Sequence, residues 1–214
     1  MKIGILGTGD VGRVLGAGFA EQGYAVKMGT RNQAQGKVRD WLEATGPKTS
    51  VGSPAEAAGF GDLVVLATAW SGTENAIRLA NPANLSKKVV IDVTNPLDFT
   101  DDGPPRLALG HMDSGGEQIQ RWLPKARVVK ALNIIGNQHM IRPDFPGGPP
   151  DMFICGNDPG AKQTVSELLD AFGWPAVDIG GIEGARYLEP LAMLWVTIFL
   201  ETGNGNHAFK LLRK

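Results

Sequence analysis

The chain has one cysteine and three histidines in 214 residues. A lone thiol, Cys155, can form no intrachain disulfide and no cysteine-rich metal site, and no metal is expected. It lies in the apolar run Met152-Phe153-Ile154-Cys155, where burial raises a thiol pKa, so a nucleophilic cysteine is not expected. An excess of one charge is missing too. The 21 Lys and Arg face 22 Asp and Glu, for a net charge of −1 without a basic block, which argues against nucleic acid and anionic membrane as partners. Long apolar runs are also absent. The most apolar stretch, residues 188–200, contains Glu189 and Pro190 and falls short of the ~20 residues that span a bilayer. It reads as a buried or subunit-interface helix. No charged leader with a hydrophobic region precedes the first strand, so a cytoplasmic location is expected.

Glycine, by contrast, is plentiful at 29 residues, and one cluster of it carries information. Gly7-Thr8-Gly9-Asp10-Val11-Gly12 follows the apolar run of residues 2–6 and leads into Val14, Leu15, Phe19 and Ala20 at helical spacing. Such a string arises by chance in glycine-rich chains, but a strand before it and a helix after it make a dinucleotide-binding turn. Gly7 permits the sharp turn, Gly9 lets a pyrophosphate approach the backbone, and Gly12 lets the helix pack on the strand. The helix N-terminus then faces the phosphates with unpaired N–H groups. Asp10 places a carboxylate beside them and is expected to cap the helix. Gly23 suits a C-cap, and residues 25–28 read as the second strand. After that strand NAD sites carry Asp or Glu for the ribose hydroxyls, whereas this chain has Thr30-Arg31-Asn32. Arg31 can grip a 2′-phosphate as a planar fork, Thr30 and Asn32 offer short donors, and Lys37 adds charge. NADP(H) is the expected cofactor.

Strand and helix patterns continue to alternate, which predicts an α/β fold: a Rossmann-type, doubly wound, mostly parallel sheet with a small C-terminal α/β extension. Helices are expected over residues 34–44 and 54–60, and a strand over 62–68 ends in Ala67-Thr68-Ala69, at the edge where open sheets hold ligands. Residues 89–93 form the next strand. Pro96 stops it and restrains Asn95, whose amide is then available towards the nicotinamide end. Residues 97–114 read as a connection. A helix over 116–122, a strand over 127–132 and then Asn133 and Ile135 follow at the same edge. The Pro- and Gly-rich residues 144–150 mark a boundary, so residues 1–143 are taken as the nucleotide-binding domain and 144–214 as the extension. That extension is expected to hold two strands, a helix over 159–172 and the apolar terminal helix, to complete the acceptor pocket, and to offer a homodimer interface. Tyr187 has no lysine four residues on, so the Tyr-x-x-x-Lys proton donor is missing. His139 reads as a surface or structural residue, and Arg186 and Glu189 either line the pocket or pair on a helix surface.

Gly7-Thr8-Gly9-Asp10-Val11-Gly12, Gly29-Thr30-Arg31-Asn32, Asp92-Val93-Thr94-Asn95-Pro96 and Val129-Lys130-Ala131-Leu132-Asn133 together resemble the F420-dependent NADP reductase family, whose fold is similar to the NADPH-oxidising domain of the STEAP metalloreductases. The resemblance covers nearly the whole chain. It implies an NADPH-dependent oxidoreductase that passes hydride to a small-molecule acceptor, F420 or a flavin such as FMN or FAD, stacked on the nicotinamide. It also implies the 2′-phosphate role for Thr30, Arg31 and Asn32, and a place around nicotinamide and acceptor for Asn95, Pro96, Ala131, Asn133 and Ile135. F420-reducing members carry histidine where Asn133 stands, and in this the chain is closer to the STEAP-like members. A non-catalytic NADP(H) sensor and a reductase of small imines or carbonyls are the alternatives.

Overall fold

The computed structural model describes residues 1–99 and 103–214; residues 100–102 of the expected connection lie outside the described residues. The first half runs β1 (Lys2–Leu6), α1 (Asp10–Glu21), β2 (Ala25–Gly29), α2 (Gly36–Thr45), β3 (Thr49–Gly52), α3 (Pro54–Phe60), β4 (Leu63–Leu66), α4 (Trp70–Ala80) and β5 (Val89–Asp92). Two short strands, β6 (Leu97–Asp98) and β7 (Arg106–Leu107), then precede α5 (Gly115–Trp122) and β8 (Arg127–Lys130). The chain closes with β9 (Met152–Gly156), α6 (Pro159–Ala171), β10 (Ala176–Asp178) and α7 (Ala185–Thr202).

Eight strands form one sheet in the order β10-β9-β8-β5-β4-β1-β2-β3. Alternate residues of one strand feed opposite faces: Leu63 and Val65 join the core under α1 and α6, Val64 and Leu66 the core under α3, α4 and α5. All neighbours run parallel except β8 and β9, paired antiparallel through Val129–Gly156 and Lys130–Cys155. From β1 the chain winds outward through β2 and β3, then returns to place β4 on the other side of β1. That reversal opens a crevice at the C-terminal ends of β1 and β4.

Four elements lie where the sequence showed none. β3 is four residues of an edge strand, too short and too polar for a strand pattern. α4 buries only Thr73, Ile77 and Ala80, and its first turn holds Ser71 and Gly72, poor helix formers, so it has no broad apolar stripe. The segment read as a plain connection contains the antiparallel β6–β7 pair, with Ala108 N–H donating to Pro96 O at 2.7 Å. α3 starts as its sequence suggests. Pro54 occupies the first turn, and Ser53 and Glu56 exchange hydrogen bonds between side chain and backbone. Among the described residues no helix is long and apolar enough to cross a membrane.

Candidate functional site

The crevice is a cleft of about 520 Å³ whose floor is Gly7, Thr8 and Gly9 after β1, and whose sides are Thr30, Arg31, Asn32 and Lys37 on one hand and Ala67, Thr68 and Ala69 on the other. Each glycine acts differently. Gly7 has φ +132, and a Cβ on it would stand 2.1 Å from Ala67 O; a Cβ on Gly12 would stand 2.2 Å from Gly7 O. These two let the loop fold back under the helix. A Cβ on Gly9 meets no protein atom within 4 Å, so it would stand in the cleft itself. Gly9 is also the N-cap of α1, without a side-chain cap, so the first N–H groups of the helix stay available to an anion.

Asp10 does not cap α1. It is the first helical residue, and its carboxylate pairs with Arg13 one turn on, a contact that holds the charge on the helix surface. Neither Asp10 nor Val11 nor Gly12 lines the cleft; Val11 packs on the core. Thr30 spends its hydroxyl proton on Asn32 O at 3.1 Å and accepts from Asn32 N–H, while Asn32 Oδ1 caps Ala34 N–H at 3.0 Å. The turn is therefore preshaped by Thr30 and Asn32, and the donors it leaves facing outward are the Asn32 amide and the exposed Arg31 and Lys37 side chains. Gln35 and the α4 residues Ser71, Gly72, Asn75, Ala76 and Leu79 complete the wall. The α4 residues were missed because α4 itself was missed.

A second cluster lies at the ends of β5 and β8. Asp92 Oδ1 accepts from Thr94 N–H at 2.9 Å and Thr94 Oγ1 at 2.7 Å, which turns the chain into Asn95-Pro96. Asn95 Nδ2 donates to Asn133 O at 2.8 Å, and Asn133 Nδ2 donates back to Asn95 Oδ1 at 2.9 Å and to Leu188 O in α7 at 3.1 Å. Both partners of that nitrogen are acceptors, so the amide orientation is fixed. Asn133 Oδ1 is left buried without a hydrogen-bond partner. Leu132 before it has φ +60, a costly conformation for leucine, and its N–H reaches Met152 Sδ at 3.2 Å. Pro96 is buried, and the side chains of Ala131 and Ile135 belong to the core.

Beneath this pair, Lys130 is wholly buried. Its ammonium meets Asp92 Oδ2 at 2.8 Å, Glu189 Oε1 at 3.1 Å and Thr94 O at 2.7 Å. Glu189 in turn accepts from the N–H groups of Gly115 and Gly116 at 2.9 and 3.0 Å, the first residues of α5. Burial pushes the Glu189 carboxyl up, against the pull of Lys130 and the two N–H groups. Burial works against the charged Lys130 as well, but Asp92 and Glu189 outweigh it and hold the ammonium above its ordinary pKa. Taking three charges out of water costs several kcal/mol per ion, so such a cluster is an expensive means of stability alone.

The pairing considered for Arg186 and Glu189 is not formed. Glu189 points inward to Lys130 and the Gly115 and Gly116 N–H groups, and Arg186 instead grips Glu117 with two contacts at 2.5 and 2.8 Å. His139 turns to the C-terminal tail, with Nε2 2.9 Å from Asn206 Oδ1. Cys155 is buried and its thiol is pushed up to about 12 by that burial. Lys130 escapes a reading of the sequence because its partners lie 38 and 59 positions away; the one available signal is a lysine that follows the apolar pair Val128-Val129 at the end of its strand.

Residues 2–96 match the family described as "NADP oxidoreductase coenzyme F420-dependent". A curated F420-dependent NADP reductase of Methanocaldococcus jannaschii is 30% identical over 206 residues, covering 92% of this chain and 91% of that protein. The chain belongs to the F420-dependent NADP reductase family. The chain is also similar to a solved structure from Arthrobacter sp. FB24, provisionally named an F420-dependent NADP reductase, at 37% identity and TM-score 0.95 with both chains fully covered. Rat metalloreductase STEAP3 is 30% identical across 90% of this chain, but the chain spans only 37% of that protein. As a member of the family, the chain is an NADPH-dependent oxidoreductase of Rossmann-like α/β fold.

Proposed function

We propose that the protein transfers hydride between NADPH and a deazaflavin, F420, or a flavin-like planar acceptor. The observation that supports this most is the division of the sheet edge: a backbone-built anion cleft flanked by Arg31 and Lys37, beside a buried amide pair with no Cys, Tyr or His among the residues that compose it. NADPH fits the cleft by the open space over Gly9 and the uncapped α1 N-terminus, and it supplies the hydride. In this reading Gly7, Thr8 and Gly9, with the first N–H groups of α1, hold the pyrophosphate; Arg31, Asn32 and Lys37 hold the 2′-phosphate; and Ala67, Thr68 and Ala69 flank the ribose. Asn95, Pro96 and Asn133 border the nicotinamide, where the unpartnered Asn133 Oδ1 is an acceptor suited to a carboxamide N–H. Hydride transfer between stacked rings requires proximity, orientation and exclusion of water rather than a nucleophile or a strong acid.

Residues 144–214 act in this reading as the extension that closes the acceptor side, since α7 supplies Leu188 O and Glu189. Exposed Leu194, Phe199 and Leu200 on α7 support a homodimer, and the absence of a spanning helix among the described residues is compatible with a cytoplasmic enzyme. The test is anaerobic oxidation of NADPH by the purified protein with F420, with FMN and without acceptor, repeated with NADH. Turnover with F420 and NADPH is the expected result. Tight NADPH binding without turnover on either acceptor overturns the proposed acceptor class.

A further inference from the structure

We infer that Lys130 is a positioning residue for the nicotinamide end of the site, holding the Asn95–Asn133 pair in register through Thr94, Asp92 and Glu189. This rests on the reading that the nicotinamide lies beside that pair. Lys130 is the last residue of β8, so the segment Ala131-Leu132-Asn133 departs directly from it. Its ammonium holds Thr94 O at 2.7 Å, one residue before Asn95, and Asp92 Oδ2 at 2.8 Å, while Asp92 Oδ1 shapes the Thr94 turn. One buried ammonium therefore sits at the root of both strands of the amide pair. Through Glu189 at 3.1 Å it also fixes α7, whose Leu188 carbonyl receives the Asn133 amide. Four elements, β5, β8, α5 and α7, are joined at this point by hydrogen bonds and ion contacts.

The 2′-phosphate side of the cleft shares none of these contacts. Arg31 and the Gly7–Gly9 floor are built from the turns after β1 and β2, and Lys37 from the first turn of α2. Loss of Lys130 is then expected to misplace the nicotinamide while the rest of the nucleotide stays bound, a separation that a general loss of structure does not produce.

The experiment compares the wild type with Lys130→Met, Glu189→Gln and Asn133→Ala. Glu189→Gln leaves Lys130 its contacts with Asp92 and Thr94, and it carries the test if Lys130→Met does not fold. Three quantities are read: the melting temperature, the Kd for NADP+ by titration, and the orientation of the bound nicotinamide from transferred nuclear Overhauser effects between its ring protons and its ribose. With F420 as acceptor, the facial selectivity of transfer from stereospecifically deuterated NADPH is a fourth. Expected for Lys130→Met or Glu189→Gln is a folded protein whose Kd stays within about 3-fold of wild type, with a mixture of nicotinamide orientations where the wild type shows one. Asn133→Ala is expected to give the same mixture. Lys130→Met and Glu189→Gln with a single orientation, alongside a mixture for Asn133→Ala, overturns the inference and leaves the site reading standing. A single orientation in all three variants overturns the site reading, and the inference with it.

Discussion

The two halves of the C-terminal sheet edge are built on opposite principles. The half beyond β1 and β2 is made of absent side chains: Gly7, Gly9 and Gly12 clear space, the α1 N-terminus is left uncapped, and the charges beside it, Arg31 and Lys37, are exposed. The half beyond β5 and β8 is made of side chains locked together, two asparagines tied reciprocally over an ammonium between two carboxylates, almost all of it buried. A flexible, heavily charged ligand group is well served by the first arrangement, where backbone N–H groups and mobile cations adapt. A ring that must present one atom at one angle is better served by the second.

Breaking the locked half should cost the fold most. Lys130→Met strands two buried carboxylates, and chemical denaturation should report a loss of about 3–5 kcal/mol. Next comes a contrast within the open half. Gly12→Ala drives a Cβ to 2.2 Å from Gly7 O and should cost about 1–3 kcal/mol of stability. Gly9→Ala meets no protein atom and should leave stability within about 1 kcal/mol, yet weaken NADPH binding at least about tenfold by titration calorimetry. Similar effects of the two substitutions on stability would remove the distinction between a glycine that serves the turn and one that serves the ligand. Arg31→Ala should raise the Kd for NADPH about 10–100-fold and leave that for NADH nearly unchanged, since the guanidinium is expected to act on the 2′-phosphate alone.

The smallest effect lies outside both halves. Arg186 grips Glu117 and, by hydrogen bonding first and charge second, holds its carboxyl below the ordinary value, while burial opposes this. A lowered folded pKa means stability that is present above the unfolded value of 4.5 and is lost as pH falls through the folded one. Arg186→Met should therefore be less stable than wild type by under about 1 kcal/mol at pH 7, with the gap closing below pH 4.5 in paired denaturation curves. A gap that persists in acid would assign the loss to packing.

The same contrast explains what the sequence disclosed. The turn through Gly7, Gly9 and Gly12 and the Thr30-Arg31-Asn32 corner are local, and each residue's requirement follows from its neighbours in the chain, so the fold class and that side of the cleft were legible. Asn95 and Asn133 were legible as candidates because each follows a strand at the correct edge. Their mutual clasp was not, since a contact across 38 positions leaves no periodicity. The helix-surface alternative for Glu189 fails because, although an apolar helix with one carboxylate normally turns it to water, here α5 offers two N–H groups and β8 an ammonium. α4 escaped notice because its buried stripe is only three residues, and with it went the wall formed by Asn75, Ala76 and Leu79.

Leu132 has a consequence for how this sequence can change. Its backbone sits where glycine or asparagine would be more comfortable, at φ +60, while its side chain is almost fully enclosed in the core. Glycine would relieve the backbone and empty the core; a β-branched residue would fill the core and worsen the backbone. Of the five positions 131–135 randomised together and selected for folded protein, 132 should therefore be the least permissive. Variation that retunes this end of the enzyme is left to the residues on either side of it.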